Sequence, residues 1–382
     1  LLLDLDTITI GILGGGQLAR MSAYAAFRFG MTVAIYERTP NSPASQITPH
    51  SFVGEWSEKS ELVKFAQCAS VITLENEFIA PSVLEYLESL GKTVFPTSQT
   101  IALVQDKLVQ KETLRRNNLP VADFSPINSI ADAEHFGNTH GYPFLLKLRI
   151  GGYDGYGNRT IRTSNQIPDA MSALGFPACM LMAEAFVPFE KELATIVART
   201  RNNSVKVYPI VETIQENHIC KIVKAPAVIG KETERAARHL AQVAIESVGG
   251  VGVFGVEMFV TRDGKVLINE LAPRPHNSGH YTIEACVTSQ FENHIRAILN
   301  YPLGDVSMLA PAAVMVNVLG KQRAPVSLWS LPSALSSPRA KVHLYGKAES
   351  RIGRKMGHIT VIGETLDDCF KHAIDAESQL MI

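Results

Sequence analysis

Residues 257–270, Glu257-Met-Phe-Val-Thr-Arg-Asp263-Gly264-Lys-Val-Leu-Ile-Asn269-Glu270, join two strand-like runs through an Asp-Gly pair, with a carboxylate at each outer end. Asp-Gly between apolar runs is a strong signal for a two-residue type I′ hairpin. In that register Thr261 faces Val266, Phe259 faces Ile268 and Glu257 faces Glu270. Directly opposed side chains have Cβ atoms roughly 4.5–5.5 Å apart, so two carboxylates meet. Like charges so placed are destabilising unless a cation lies between them or one carboxyl keeps its proton. A shared Mg²⁺ satisfies both, because oxygen ligands near substrate phosphates are its usual setting. The competing reading is a solvated hairpin end where the acids splay apart, and the flanking Val256, Met258, Phe259 and Leu271 argue against a fully wet location. The same register points Asn269 to the opposite face, from which it reaches a metal or nucleotide only if the strand ends or bulges there.

Downstream, residues 272–280 (Ala-Pro-Arg274-Pro-His276-Asn277-Ser278-Gly-His280) form a polar, proline-stiffened loop, and residues 351–358 read as a second, cationic loop. Either alone is a solvated turn; beside paired acids they suit an anionic substrate gripped near nucleotide phosphates. Upstream, residues 151–157 hold four glycines in seven positions, between strand candidates at 144–148 and 179–184. Such a loop can bring backbone N–H groups against phosphate oxygens or close as a lid. Lys147, near the preceding strand end, can put an ammonium on the same anion. An ordinary hairpin loop needs fewer glycines.

The first hundred residues alternate strand (7–13, 31–37, 71–74, 92–96) with helix (17–30, 81–91), which implies parallel strands with crossover helices, a Rossmann-like unit. Gly14-x-Gly16-x-x-Ala19 opens the first helix, and Glu37 closes the next strand about twenty residues on, a fair match to a dinucleotide fingerprint. A tight turn that binds something else fits equally well. A helical region at 98–118 ends at Leu119-Pro120. From residue 190 strands dominate (193–199, 205–211, 219–224, 253–261, 265–269), with helices at 232–248 and 290–300. Three units follow: 1–118, Rossmann-like and ending in linker helices; 119–184, a small α+β lid; and 185–382, a large α+β unit with a C-terminal substrate-loop region.

A length of 382 residues agrees with two to three domains at roughly 150 residues each. The net charge of −1 excludes the concentrated cationic face that duplex DNA needs, and leaves local cationic pockets open. With 46% hydrophobic and 19% charged residues the chain is too apolar to be disordered. Five scattered cysteines without a C-x-x-C pair read as reduced thiols of the cytoplasm, with no disulfide framework and no cysteine zinc site. The start, residues 1–6, is apolar but broken by acids and lacks a basic region, so it reads as neither signal peptide nor anchor; no apolar run reaches spanning length.

Several segments are more specific: Gly11 to Leu18, Leu74-Glu75-Asn76-Glu77, Gln105-Asp106-Lys107, Gly151-Gly152-Tyr153-Asp154-Gly155, Asn269-Glu270-Leu-Ala-Pro-Arg274 with His276-Asn277-Ser278-Gly279-His280, and Gly353-Arg354-Lys355-x-Gly-His358. With these the chain resembles the ATP-grasp superfamily over nearly its whole length, closest to the N5-carboxyaminoimidazole ribonucleotide synthetases of purine biosynthesis. The resemblance implies an α/β, three-domain ATP-grasp fold whose Rossmann-like N-terminal domain binds no NAD. It implies ATP and Mg²⁺ between the second and third domains, with Lys107 and Lys147 on the phosphates and Gly152, Tyr153, Gly155 and Gly157 in the lid. Glu184, Ala185, Phe186 and Val187 become the adenine hinge, Glu192 the ribose carboxylate, and Gln215 and Asn269 neighbours of the nucleotide. Glu257 and Glu270 become the magnesium ligands.

Gln17, Glu75, Tyr153, Asp154, Arg274, His276, Asn277, Ser278, Arg354 and Lys355 would line the ribonucleotide and bicarbonate site, with Asp154 as base and Arg274 and Lys355 steadying the carboxylate. Three positions depart from related patterns: Tyr156 stands where Arg is frequent, Gln215 where many members carry His, and Ala272 where peptide-type ligases place Asn. The implied reaction carboxylates 5-aminoimidazole ribonucleotide with bicarbonate and ATP, in a cytoplasmic homodimer with no nucleic-acid or membrane partner. The rivals are a formate-using glycinamide ribonucleotide transformylase, an NAD-dependent oxidoreductase built on Gly14–Ala19 and Glu37, and a catalytically silent binding module.

Overall fold

The β-branched run at the N-terminus forms the strand Thr9–Leu13, which lies between Thr32–Glu37 and Val71–Leu74 in a four-stranded parallel sheet completed by His50–Val53. The order, with the first strand central, follows from right-handed crossovers through the helices Gln17–Arg28 and Lys59–Cys68. The short strand expected at 92–96 is reduced to a single parallel bridge between Ile72 and Val94. In this computed structural model residues 8–152 and 155–382 are described.

The expected helical region at 98–118 is two helices, Ser98–Val104 and Lys107–Arg116. Asp106 separates them: its carboxylate accepts from Leu108 N, 2.9 Å, and Val109 N, 3.4 Å, capping the second helix. A second sheet follows, antiparallel and four-stranded, in the order Phe124–Ile127, Leu181–Ala185, Phe144–Leu148, Asn158–Ile161. The helices Ile130–His140 and Ile167–Ala173 contribute Phe136 and Met171 to its core. The glycine-rich segment falls in sequence between Phe144–Leu148 and Asn158–Ile161, which pair antiparallel.

The third sheet has nine strands. Its path runs from Val266–Ala272 through Gly252–Thr261, Phe189–Arg199, Val211–Glu216, Ile219–Ala225, Ala312–Leu319 and Lys355–Gly363 to Lys341–Leu344. The run expected as one strand at 205–211 is two, Val205–Val207 and Val211–Glu216, separated at Tyr208-Pro209-Ile210. The helix Lys231–Ser247 buries Ala237, Ala241, Ala244 and Ile245 against Phe254 and Val256, a stripe at helical spacing. Half of the expected cationic loop at 351–358 is strand: Lys355 opens Lys355–Gly363 and pairs with Leu319.

Candidate active site

The Glu257–Glu270 hairpin is built differently from the sequence reading but arrives at the same pair. The Thr261 N–H bonds Lys265 O at 3.0 Å, so three residues, not two, form the loop, and Gly264 takes φ +79°. Phe259 therefore faces Leu267, and Val260 faces Val266. The ladder then shifts between Glu257 and Met258, leaving Asn269 as the extra residue of a β-bulge. That one-residue shift restores Glu257 opposite Glu270 and turns the Asn269 amide to within 3.5 Å of Glu257 Oε2. A longer loop and a bulge cancel.

Around this pair the charges are arranged unequally. Glu270 is bonded by Lys107, the first residue of its helix. Burial alone would raise the Glu270 pKa, but Lys107, with Lys147 and His276, holds it down at about 2. Burial, then Glu270 and Glu192, pushes Glu257 up to about 8 despite Lys107 and Lys355. His276 lies 3.6 Å from Glu257, and its own pKa is lowered to about 4 by burial and by Arg274 and Lys355, so this contact is not an ion pair near neutrality. Two opposed carboxylates, one of them pushed well above the ordinary carboxylate range, make an all-oxygen donor set that suits Mg²⁺. The residues present therefore fit a divalent cation, with Glu257 and Glu270 as its holders.

Lys147 does not stand alone. Its Nζ lies 3.2 Å from Glu184 Oε2, and Lys111 Nζ approaches the same oxygen at 3.1 Å, all three side chains being buried. Burial would raise the Glu184 carboxyl, but the two ammonium groups more than compensate and keep it ionised. Lys111 escaped the sequence reading, although it sits four residues after Lys107 on the same helix face, a signal that was available. Ala185 ends the small sheet and Phe189 begins the large one, so Phe186 and Val187 lie on the connection between them. Glu192 faces Phe259 on the large sheet and accepts a hydrogen bond from Gln215, which sits at a register shift of its own strand.

On the other side, Arg274 grips Glu77 with two nitrogens of its guanidinium, Nε donating to Oε2 and Nη2 to Oε1, the latter at 2.9 Å. Glu77 lies 197 residues away in sequence, so no local pattern could pair the two. Gln290 clamps His276, accepting from its N–H and donating to its carbonyl at 2.9 and 2.8 Å. Asn277 and Ser278, expected on substrate, are buried and committed elsewhere: Asn277 exchanges amide bonds with Asn317, and Ser278 Oγ lies 2.8 Å from His276 Nδ1. Arg354 donates to Glu349 O at 2.7 Å. These three hold the loops that present His276 and Lys355.

The dinucleotide reading fails for a local reason. Glu75 accepts from Gly16 N at 2.7 Å and Ala19 N at 3.1 Å, while Glu37 accepts from Gly15 N at 2.8 Å. The N–H groups that would bind a pyrophosphate at this helix start are thus spent on two carboxylates of the chain itself. Gln17 is half-buried at the head of that helix. In the glycine-rich loop, Gly155 and Gly157 take φ +78° and +81°, and a Cβ on Gly155 would stand 2.5 Å from His218 Cβ. Gly152 lies beside Lys107 and Glu270 in one crevice, and Tyr156 is 70% exposed. Tyr153 and Asp154 lie outside the described residues.

A nine-stranded sheet with opposed carboxylates, preceded in the chain by a small antiparallel sheet with a glycine-rich segment and, before that, by a parallel sheet, defines an ATP-grasp enzyme. Family models agree along the chain: the ribonucleotide synthetase preATP-grasp domain matches residues 7–105, the ATP-grasp domain 112–291, and the phosphoribosylaminoimidazole carboxylase C-terminal domain 313–372. The chain is 39% identical over 353 residues to N5-carboxyaminoimidazole ribonucleotide synthase of Synechococcus elongatus, covering 92% of this chain and 89% of the relative. It is 41% identical over 373 residues to phosphoribosylaminoimidazole carboxylase of Ogataea methanolica, covering 96% and 68%.

The crystal structure of N5-carboxyaminoimidazole synthase from Aspergillus clavatus with ADP and 5-aminoimidazole ribonucleotide superposes with a TM-score of 0.90 at 37% identity, covering 98% of this chain and all of that one. The chain belongs to the N5-carboxyaminoimidazole ribonucleotide synthetase family of ATP-dependent ligases. It spans about two thirds of the length of the phosphoribosylaminoimidazole carboxylases it matches.

Proposed function

We propose that this chain carboxylates 5-aminoimidazole ribonucleotide with bicarbonate, converting ATP to ADP and phosphate and forming N5-carboxyaminoimidazole ribonucleotide. The observation that carries this reading is the bulge at Asn269, which gathers Glu257, Asn269 and Glu270 on one face beside Lys107. The Aspergillus clavatus relative, solved with ADP and the same ribonucleotide, supports the choice of substrate. Bicarbonate is a poor electrophile, so one of its oxygens attacks the γ-phosphorus and ADP leaves. Lys107 and Lys147 neutralise charge on the transferring phosphoryl group. Mg²⁺ held by Glu257 and Glu270 would supply further charge neutralisation there.

The resulting carboxyphosphate hydrolyses readily, so the glycine loop has to exclude water until it breaks down to phosphate and CO₂. The imidazole amine then attacks the CO₂ carbon and gives up a proton, for which Asp154 is the assigned base. Arg274, aimed by Glu77, and Lys355 steady the new carboxylate. The remaining adenine, ribose and lid assignments follow the same reading, as do bicarbonate as cosubstrate and a cytoplasmic homodimer.

Phosphate release from ATP tests it. Release is expected to rise with aminoimidazole ribonucleotide and bicarbonate together, and Glu257→Gln to lose on the order of a hundredfold or more. Release driven by formate and glycinamide ribonucleotide instead would transfer the chain to the transformylase reading.

A further inference from the structure

Two histidines of the diagnostic motifs, His280 and His358, carry none of the roles assigned to the nucleotide and substrate site. They sit in a second polar cluster, where His343 and His358 stand directly opposite each other on the antiparallel strands Lys341–Leu344 and Lys355–Gly363. Their rings are parallel within 8°, with centroids 4.5 Å apart. Glu284, from the short helix Thr282–Ala285, reaches the pair with Oε1 2.9 Å from His343 Nε2. One nitrogen of each imidazole and one oxygen of Glu284 lie within 4.8 Å of one another.

The cluster is not satisfied by its own hydrogen bonds. His358 is fully buried; its Nδ1 is 3.0 Å from the Tyr345 hydroxyl, while its Nε2 has no partner. The second oxygen of Glu284 is buried and unpartnered too, as is Nε2 of His280, whose ring lies 4.9 Å from that of His358. Buried polar atoms without partners are costly, and a ligand that accepts their lone pairs recovers that cost. Burial, with His280 and His343 beside it, holds the His358 pKa well below the ordinary value, so its ring offers a lone pair rather than a charge.

We propose that Glu284, His343 and His358 bind a transition-metal ion of the zinc type, as a structural site separate from the paired acids. Two imidazoles and a carboxylate suit Zn²⁺ or Co²⁺, whereas Mg²⁺ takes an all-oxygen set such as Glu257 with Glu270. The Tyr345 hydroxyl on Nδ1 is the outer contact that fixes the His358 tautomer and leaves Nε2 to coordinate. Ligands at roughly 2.0–2.2 Å from the ion sit closer together than the cluster's present spread. Rotation of His343, whose side chain is 31% exposed, closes the gap and leaves a fourth position to water. The ion ties three segments of chain together. One of them is the strand whose first residue is Lys355.

The test uses the full chain, stripped with a chelator and kept in millimolar Mg²⁺ so that the paired acids are occupied. One equivalent of Co²⁺ is expected to give visible d–d absorption without an intense thiolate band, and Zn²⁺ to displace it. Saturating Zn²⁺ is expected to raise the Tm by about 3 °C or more. Glu284→Gln, close in shape, and His343→Ala, on a partly exposed side chain, should each weaken Zn²⁺ binding at least tenfold and abolish the Tm rise, with ATP binding retained. Absence of stoichiometric binding to the unmutated chain overturns the proposal. So does binding that survives both substitutions, or that disappears only in Glu257→Gln.

Discussion

Glu184 shows how one buried acid can govern a lysine proposed to bind phosphate. With Lys111 and Lys147 both on a single carboxylate oxygen, the triad carries one excess positive charge in a region that water barely reaches. In the proposed reaction, phosphates drawing on Lys147 leave Glu184 still paired with Lys111, so Lys147 is free to move without stranding an anion. Lys111→Met removes that reserve. Lys147 then has to choose between Glu184 and nucleotide. The KM for ATP is expected to rise on the order of tenfold, with stability lower by about 2 kcal/mol. Steady-state kinetics and urea unfolding measure the two effects, and an unchanged KM would show that Lys147 does not depend on its neighbour. Lys107 was legible as part of Gln105-Asp106-Lys107, whereas the Lys111–Glu184 contact joins residues that only the packed helix and sheet bring together.

At the scale of elements, the hairpin carries a lesson about register. Asp263-Gly264 correctly marked a turn, and alternating residues correctly marked two strands. Yet the loop has three residues, and the bulge at Asn269 exists to offset it. Bulges leave little trace in a single strand because nothing local distinguishes an extra residue from a regular one. Two glycines in hairpin loops should respond differently to the same change. Gly264→Ala forces a side chain into φ +79° but meets only an ordinary contact with Thr233 Oγ1 at 3.8 Å, so it should cost about 1 kcal/mol and leave turnover unaltered. Gly155→Ala adds a collision with His218 to the same strain. It is expected to lower carboxylation on the order of tenfold while phosphate release continues, because a displaced lid admits water. Comparing ADP formed with carboxylated product reads the difference, and equal losses in both would remove the lid from the coupling.

At the scale of the whole molecule, a buried neutral histidine ties two of the sheets together. Val253 N donates to His294 Nδ1 at 3.1 Å, so Nε2 carries the proton and donates to Thr73 Oγ1 at 2.9 Å, joining the parallel sheet to the large one. Burial lowers the His294 pKa to about 4; His276 is held near the same value by burial and neighbouring cations, and burial holds His280 and His358 well below the ordinary histidine range. A histidine whose folded-state pKa is depressed takes up its proton more readily in the unfolded chain, so stability is present above about 6.5 and lost as pH falls toward about 4. Metal-free Glu257 has the opposite sign: its contribution is present below about 4.5 and lost as pH rises through about 8. The Tm is therefore expected to fall from pH 6.5 to 4, and His294→Gln to flatten that decline. An unchanged slope would mean that His294 does not report on the junction.

Length, alternation and local motifs were enough to establish an α/β chain with a Rossmann-like start, a glycine loop and two acids on one hairpin, since each depends on neighbours within a few residues. The pairing of Arg274 with Glu77, the sharing of Glu184, and the carboxylate caps that close the glycine turn to dinucleotide needed the folded chain. So did the Glu284–His343–His358 cluster. Each of these joins side chains tens to hundreds of positions apart, and their partners are chosen by which surfaces the packed sheets and helices bring within hydrogen-bonding distance.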